Sequence, residues 1–127
     1  MIIKGKNVAF EVHGELYHCA MDVTMEFIGG KWKAVVLWYL KGGTLRFSEI
    51  KKRIPDITEK MLSIQLKTLE QDGLIERKVY GVKPPVRVEY SLTEFGKSLS
   101  ETLNAIAKWG RNYAEKEGKM VELEEKK

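Results

Sequence analysis

Apolar and polar positions change period along the chain, and each change marks an element. Residues 2–17 alternate loosely, with Val8, Phe10 and Val12 apolar against Asn7, Glu11 and His13. With a turn at Gly14, this predicts one or two short strands. From Met21 the period becomes helical: Met21, Met25 and Ile28 share a face, and Gly29-Gly30 ends the segment. A second helix over about 31–40 is expected to bury Trp32, Val35, Val36 and Tyr39 and to stop at Gly42-Gly43. A third, short helix over about 46–53 turns Phe47, Ile50 and Ile54 inward, and Pro55 closes it.

The clearest helix start is Thr58, whose hydroxyl can accept from an amide two or three residues on. Glu59 follows in the first turn, where the helix dipole favours a carboxylate. Leu62, Leu66 and Leu69 then form one narrow stripe, with Lys60, Ser63, Ile64, Lys67 and Gln71 on the opposite face. Gly73 ends this helix and Leu74 returns the chain to the core. Two runs of period two follow, Ile75, Arg77, Val79 against Glu76, Lys78, Tyr80, and Val86, Val88, Tyr90 against Arg87, Glu89, Ser91. Gly81 to Pro85 join them, so they read as an antiparallel hairpin with a basic tip. Thr93 is expected to cap one last helix with Phe95, Leu99, Leu103, Ile106 and Tyr113 on a stripe and Trp109 near its end.

The fold class that follows is mainly α with a small antiparallel β hairpin (α+β). Three helices, a two-stranded hairpin and a long amphipathic helix stand in winged helix-turn-helix order. An N-terminal extension over 1–18, a winged domain over 19–117 and a polar tail over 118–127 are the expected divisions. Composition agrees with one domain: 127 residues, 43% apolar and 31% charged. One cysteine excludes an intramolecular disulfide framework and suits a reducing compartment. No apolar run approaches the ~20 residues that span a bilayer, and no signal-peptide pattern opens the chain, so a cytoplasmic location is expected. No nucleophile and base stand at a recognisable catalytic spacing, so no enzymatic role and no cofactor are expected.

Charge sharpens the picture once it is placed. The net +4 divides into +1 over residues 1–43, +3 over 44–92 and 0 over 93–127. Most of the excess therefore falls on the helix-turn-helix and hairpin. In such a motif the second helix enters the major groove of a duplex. Lys60 and Lys67 suit phosphate or guanine, Ser63 a base or phosphate, and Gln65, at the edge of the stripe, an adenine. Taken singly these are ordinary solvated residues. They gain meaning by converging with Arg46, Lys51, Lys52 and Arg53 and with the hairpin's Lys78, Lys83 and Arg87. About four to six phosphate contacts per protomer are then expected.

The strings Gly29-Gly30-Lys31-Trp32, Arg46-Phe47-Ser48-Glu49-Ile50, Ile57 to Leu62, Leu66 to Glu70 with Asp72-Gly73-Leu74-Ile75, Val88 to Thr93, and Trp109-Gly110 carry a family resemblance. Together they resemble the HxlR-type regulators, a branch of the MarR-like winged-helix proteins. The resemblance implies a transcriptional regulator that binds double-stranded DNA as a homodimer through N- and C-terminal elements. Leu99, Leu103, Ile106, Trp109 and Tyr113 would form the C-terminal dimer element. Each recognition helix would occupy one half-site of a pseudo-palindrome. Three departures stand out: Ala20 where the family often has proline after cysteine, a longer leader over 1–17, and Gln65 where an arginine is common.

Cys19 stands where some members carry a redox-sensing thiol, with His18 beside it; the plain alternative is an inert thiol at a helix start. His13, His18 and Cys19 match no zinc pattern, so no metal site is expected. Trp32, Trp38 and Trp109 are most simply core and interface anchors. Two other functions share this fold: a module that binds protein through a neutral recognition face, and a sensor triggered by Cys19 or by a small effector in a cleft beside the terminal helices.

Overall fold

A computed structural model describes residues 1–123 of the chain. The N-terminal extension forms two antiparallel hairpins. In the first, β1 (Ile2–Ile3) pairs with β2 (Lys6–Asn7); in the second, β3 (Phe10–Val12) pairs with β4 (Glu15–Tyr17). His13 and Gly14 turn the second with positive φ. Tyr17 packs toward the helix that follows. Desolvation there, and then the carboxylates of Glu26 and Glu15, hold its phenol above the ordinary tyrosine value.

Three helices come next: α1 (Ala20–Ile28), α2 (Lys33–Leu40) and α3 (Phe47–Arg53). Helix α2 is apolar almost all round, and its deepest side chains are Val36, Leu37 and Leu40. This corrects the expected inner face: of the four residues assigned to it, only Val36 is fully buried. Trp32, Val35 and Tyr39 pack half-buried at the core's edge. Helix α3 is inward at Ile50, and Glu49 accepts a hydrogen bond from the Arg46 N–H at 2.9 Å, securing its first turn.

Helix α4 (Glu59–Gln71) forms as its pattern predicts. The Thr58 hydroxyl accepts from the Met61 N–H at 3.0 Å, and Leu62, Leu66 and Leu69 are buried. Each such leucine contributes about 1.5–3 kcal/mol of hydrophobic stabilisation, so the stripe fixes which face of α4 remains outside. The helix closes with a Schellman motif, in which Gly73 N–H donates to Glu70 O and Leu74 N–H to Leu69 O. Gly73 takes φ +77°, the left-handed value that motif requires.

Strands β5 (Ile75–Tyr80) and β6 (Arg87–Leu92) pair antiparallel with Ile75 opposite Leu92 and Tyr80 opposite Arg87. Leu45 adds a single bridge to the hairpin, its N–H and carbonyl exchanging bonds with Tyr90 at 3.0 and 2.8 Å. The segment before α3 is thereby fastened to the wing. The core runs from Ile28 through Val36, Leu37, Leu40, Leu45, Ile50, Ile54 and Ile57 to the α4 stripe. It is completed by Leu74, Ile75, Leu92 and Leu103.

The last helix is not continuous. Thr93 does cap, accepting from Gly96 N–H at 3.0 Å, but the helix it starts is short, α5 (Glu94–Lys97). After Ser98 and Leu99 the chain begins again as α6 (Ser100–Glu117). At the break the Ser98 hydroxyl donates to the Phe95 carbonyl, and α5 itself makes a close approach to the chain. A Cβ on Gly96 would stand 2.0 Å from the Leu74 carbonyl oxygen, so α5 lies directly on the turn that ends α4. Thr93 ties the same turn, donating its hydroxyl to Gly73 O at 2.6 Å and its N–H to Leu74 O at 3.1 Å. Phe27 meets Phe95 edge to face at 5.3 Å. Residues 119–123 carry no regular structure, and the rest of the expected polar tail, 124–127, lies outside the described residues.

Candidate nucleic-acid interface

Burial of the leucine stripe turns Lys60, Ser63, Ile64, Lys67 and Gln71 outward on α4, all exposed. Among the described residues Lys60 and Lys67 form no ion pair, so their ammonium groups stay available to an external anion. Arg46 and Lys52 are exposed and likewise unpaired at the two ends of α3, and Lys83 stands at the exposed hairpin tip. The hairpin and α4 meet at the Gly73 turn, so one unbroken stretch of chain carries both.

Other expected site residues are already engaged within the protein. Gln65 is half-buried, and its amide donates to the Met61 sulfur at 3.3 Å. Lys51 is half-buried and donates to the Pro55 carbonyl at 3.3 Å, closing the turn after α3. The Arg87 guanidinium lies 4.8 Å from the Tyr80 ring centre and 3.5 Å from a Glu89 oxygen. Lys78 pairs with Glu76 at 3.6 Å. Such exposed pairs are weak and open easily to a stronger anion. Met61 and Ile64 are exposed beside these residues on α4.

The candidate dimer residues separate into two groups. Leu103 is buried in the protomer's own core, so its assignment to a dimer seam is corrected, while Leu99 packs half-buried against that core. Leu103 and Ile106, three apart on α6, adjoin, with Leu103 on the inner side. Ile106, Trp109 and Tyr113 remain exposed at 48%, 70% and 57%, and Trp109 stacks on Tyr113 with ring centres 5.6 Å apart. Ile106 also borders an apolar cleft of about 200 Å³ between α2 and α6, lined by Val35, Trp38, Tyr39 and Leu103.

Cys19 is half-buried at the N-terminal boundary of α1 and caps nothing with its side chain. The neighbouring His18 ring turns instead to Asp22, Nδ1 to Oδ2 at 2.8 Å. Among the described residues, no three His, Cys, Asp or Glu side chains gather where they could hold a metal ion. No helix among them is long and apolar enough to cross a membrane.

A capped second helix with its polar face outward, a basic hairpin after it and a bridge from the preceding segment define a winged helix-turn-helix protein of the DNA-binding type. Residues 27–118 match the HxlR-like helix-turn-helix family, and the chain belongs to that family, whose relatives are transcriptional regulators. An uncharacterised HTH-type transcriptional regulator of Methanothermobacter thermautotrophicus is 55% identical over 97 residues, 76% of this chain and 73% of that protein. The uncharacterised HTH-type regulator YkvN of Bacillus subtilis is 50% identical over 101 residues, 80% of this chain and 85% of its own. Among solved structures, the redox regulator HypR in its oxidised form superposes with a TM-score of 0.70 at 41% identity. That match covers 74% of this chain and 96% of HypR.

Proposed function

We propose that this chain acts as a homodimeric, sequence-specific regulator that places α4 of each protomer in the major groove of one half-site. The observation that carries the reading is the face of α4. A cap and three buried leucines hold Lys60, Ser63 and Lys67 outward with no internal partner among the described residues. Lys60 and Lys67 then bond phosphate or guanine, Ser63 a base edge or phosphate, and Gln65 an adenine after leaving the Met61 sulfur. Arg46, Lys51 and Lys52 approach the backbone at one side, and Lys83 and Arg87 of the wing approach the backbone or minor groove at the other. Ile106, Trp109 and Tyr113 supply the apolar seam between protomers, because an exposed aromatic stack on a helix end is costly in water and typical of interface anchors.

A footprint on the DNA flanking the gene, together with sedimentation of the free protein, tests this. The expected result is a dimer that protects two half-sites about 34 Å apart or a multiple of that distance. A monomer, or a single protected half-site, refutes it.

A second reading adds a trigger. The likeness to HypR, described as a redox regulator, and the half-buried position of Cys19 support thiol control of DNA binding. DNA affinity before and after peroxide or quinone, in wild type and Cys19→Ser, decides it. An unchanged response in the Cys19→Ser protein removes the thiol from the mechanism.

A further inference from the structure

Ile64 is the odd residue on the outward face of α4. At 3.6 residues per turn it lies about 170° from the centre of the Leu62, Leu66 and Leu69 stripe, as far from the core as a residue on this helix can be. It is 46% exposed, and its nearest neighbours along that face are cationic or polar: Lys60 four residues before it, Lys67 three after it, Ser63 beside it. The other apolar residue bordering this face, Met61, is 36% exposed and its sulfur accepts from Gln65. The protein therefore holds a branched hydrocarbon in water at the middle of a surface otherwise suited to polyanions.

In the major groove the only alkyl group that the four bases present is the C5 methyl of thymine. With the lysines on either side of it engaged on phosphates, the shorter branched side chain of Ile64 would face the groove floor. We propose that Ile64 is a specificity-determining residue that reads a thymine methyl at the centre of each half-site. This rests on the DNA-binding reading above and adds to it which base the helix prefers and by what chemistry. Lys60 and Lys67 hold the helix in register; Ile64 packs its branched carbons against the methyl and excludes water from both.

Selection of preferred sites from random duplexes gives the half-site. Each thymine is then replaced singly by deoxyuridine, which removes the methyl and leaves every hydrogen-bonding group in place. Burial of one methyl corresponds to about fourfold in affinity, so one position per half-site should show that loss, and about fifteenfold when both half-sites are changed. Ile64→Ala, a change at an exposed position that leaves the core untouched, should bind thymine and deoxyuridine sites alike.

A selected half-site without thymine, a wild type indifferent to every deoxyuridine, or an Ile64→Ala protein that keeps the full penalty overturns the assignment. A penalty that disappears only in Met61→Ala overturns it as well, moving the role to Met61. Failure to select any duplex overturns the DNA-binding reading itself, a result separate from all of these.

Discussion

The dependence of DNA affinity on salt can be worked out from the side chains. Five cations per protomer, Arg46, Lys52, Lys60, Lys67 and Lys83, face outward without an ion-pair partner among the described residues. Lys51 and Arg87 are held by Pro55 O and by Glu89 with Tyr80, and join only if those contacts open. Ten phosphate contacts in a dimer give a slope of about −9 in log K against log salt, so affinity falls about 10⁵-fold between 50 and 200 mM. Lys60→Ala/Lys67→Ala removes four contacts per dimer. The slope should then ease to about −5.4, and the same change in salt should cost about 10³-fold. Both lysines are exposed, so the double variant should unfold within about 0.5 kcal/mol of wild type per site. Fluorescence anisotropy on one labelled duplex across a salt series measures both slopes. Equal slopes in the two proteins, or a wild type that loses less than tenfold, would show that these cations do not meet phosphates.

Gly96→Ala forces a methyl against the Leu74 carbonyl and should cost about 3 kcal/mol in urea unfolding, the upper end for overpacking because the obstacle is backbone. Gly110→Ala, with open space around it, serves as the control and should gain about 0.5–1 kcal/mol. Thr58→Ala removes the acceptor for Met61 N–H and should lower stability by about 1 kcal/mol in the same assay. Trp109→Ala should weaken the dimer by at least about 30-fold in sedimentation, the equivalent of ~2 kcal/mol at an interface anchor. An unchanged dimer constant would locate the seam elsewhere.

The parts of this fold legible in the sequence are those in which one side of an element is apolar and the other is not. Helix α4 is the best case, because Leu62, Leu66 and Leu69 stand apart from a polar remainder and Thr58 marks the start. Helix α2 is the opposite case. With Ala34 to Leu40 apolar throughout, periodicity predicts a buried helix and cannot say that Leu37 lies deeper than Tyr39. The break at Ser98-Leu99 has no proline to announce it. It follows Gly96, whose contact with Leu74, twenty-two residues away in sequence, local spacing does not report.

At the candidate site the outward set of α4 was readable, whereas the internal commitments of Lys51, Gln65 and Arg87 were not. Each depends on where a long side chain settles. Two of the three nevertheless follow simple spacings: Lys51 to Pro55 and Gln65 to Met61 are four apart. Arg87 to Glu89 is two apart on one strand, hence on one face of the hairpin.

The end of α6 carries a consequence for how this protein is handled. From Lys108 to Glu117 every residue is exposed, a stretch of about 15 Å that satisfies its backbone hydrogen bonds without apolar support from its own protomer. A helical segment that short has little stability by itself in water. Apolar packing of a neighbour on Trp109 and Tyr113 would add to what holds this end of α6. If that neighbour is a second copy, dilution and heating act on the same equilibrium, and the melting temperature becomes a property of the solution's protein concentration as much as of the sequence.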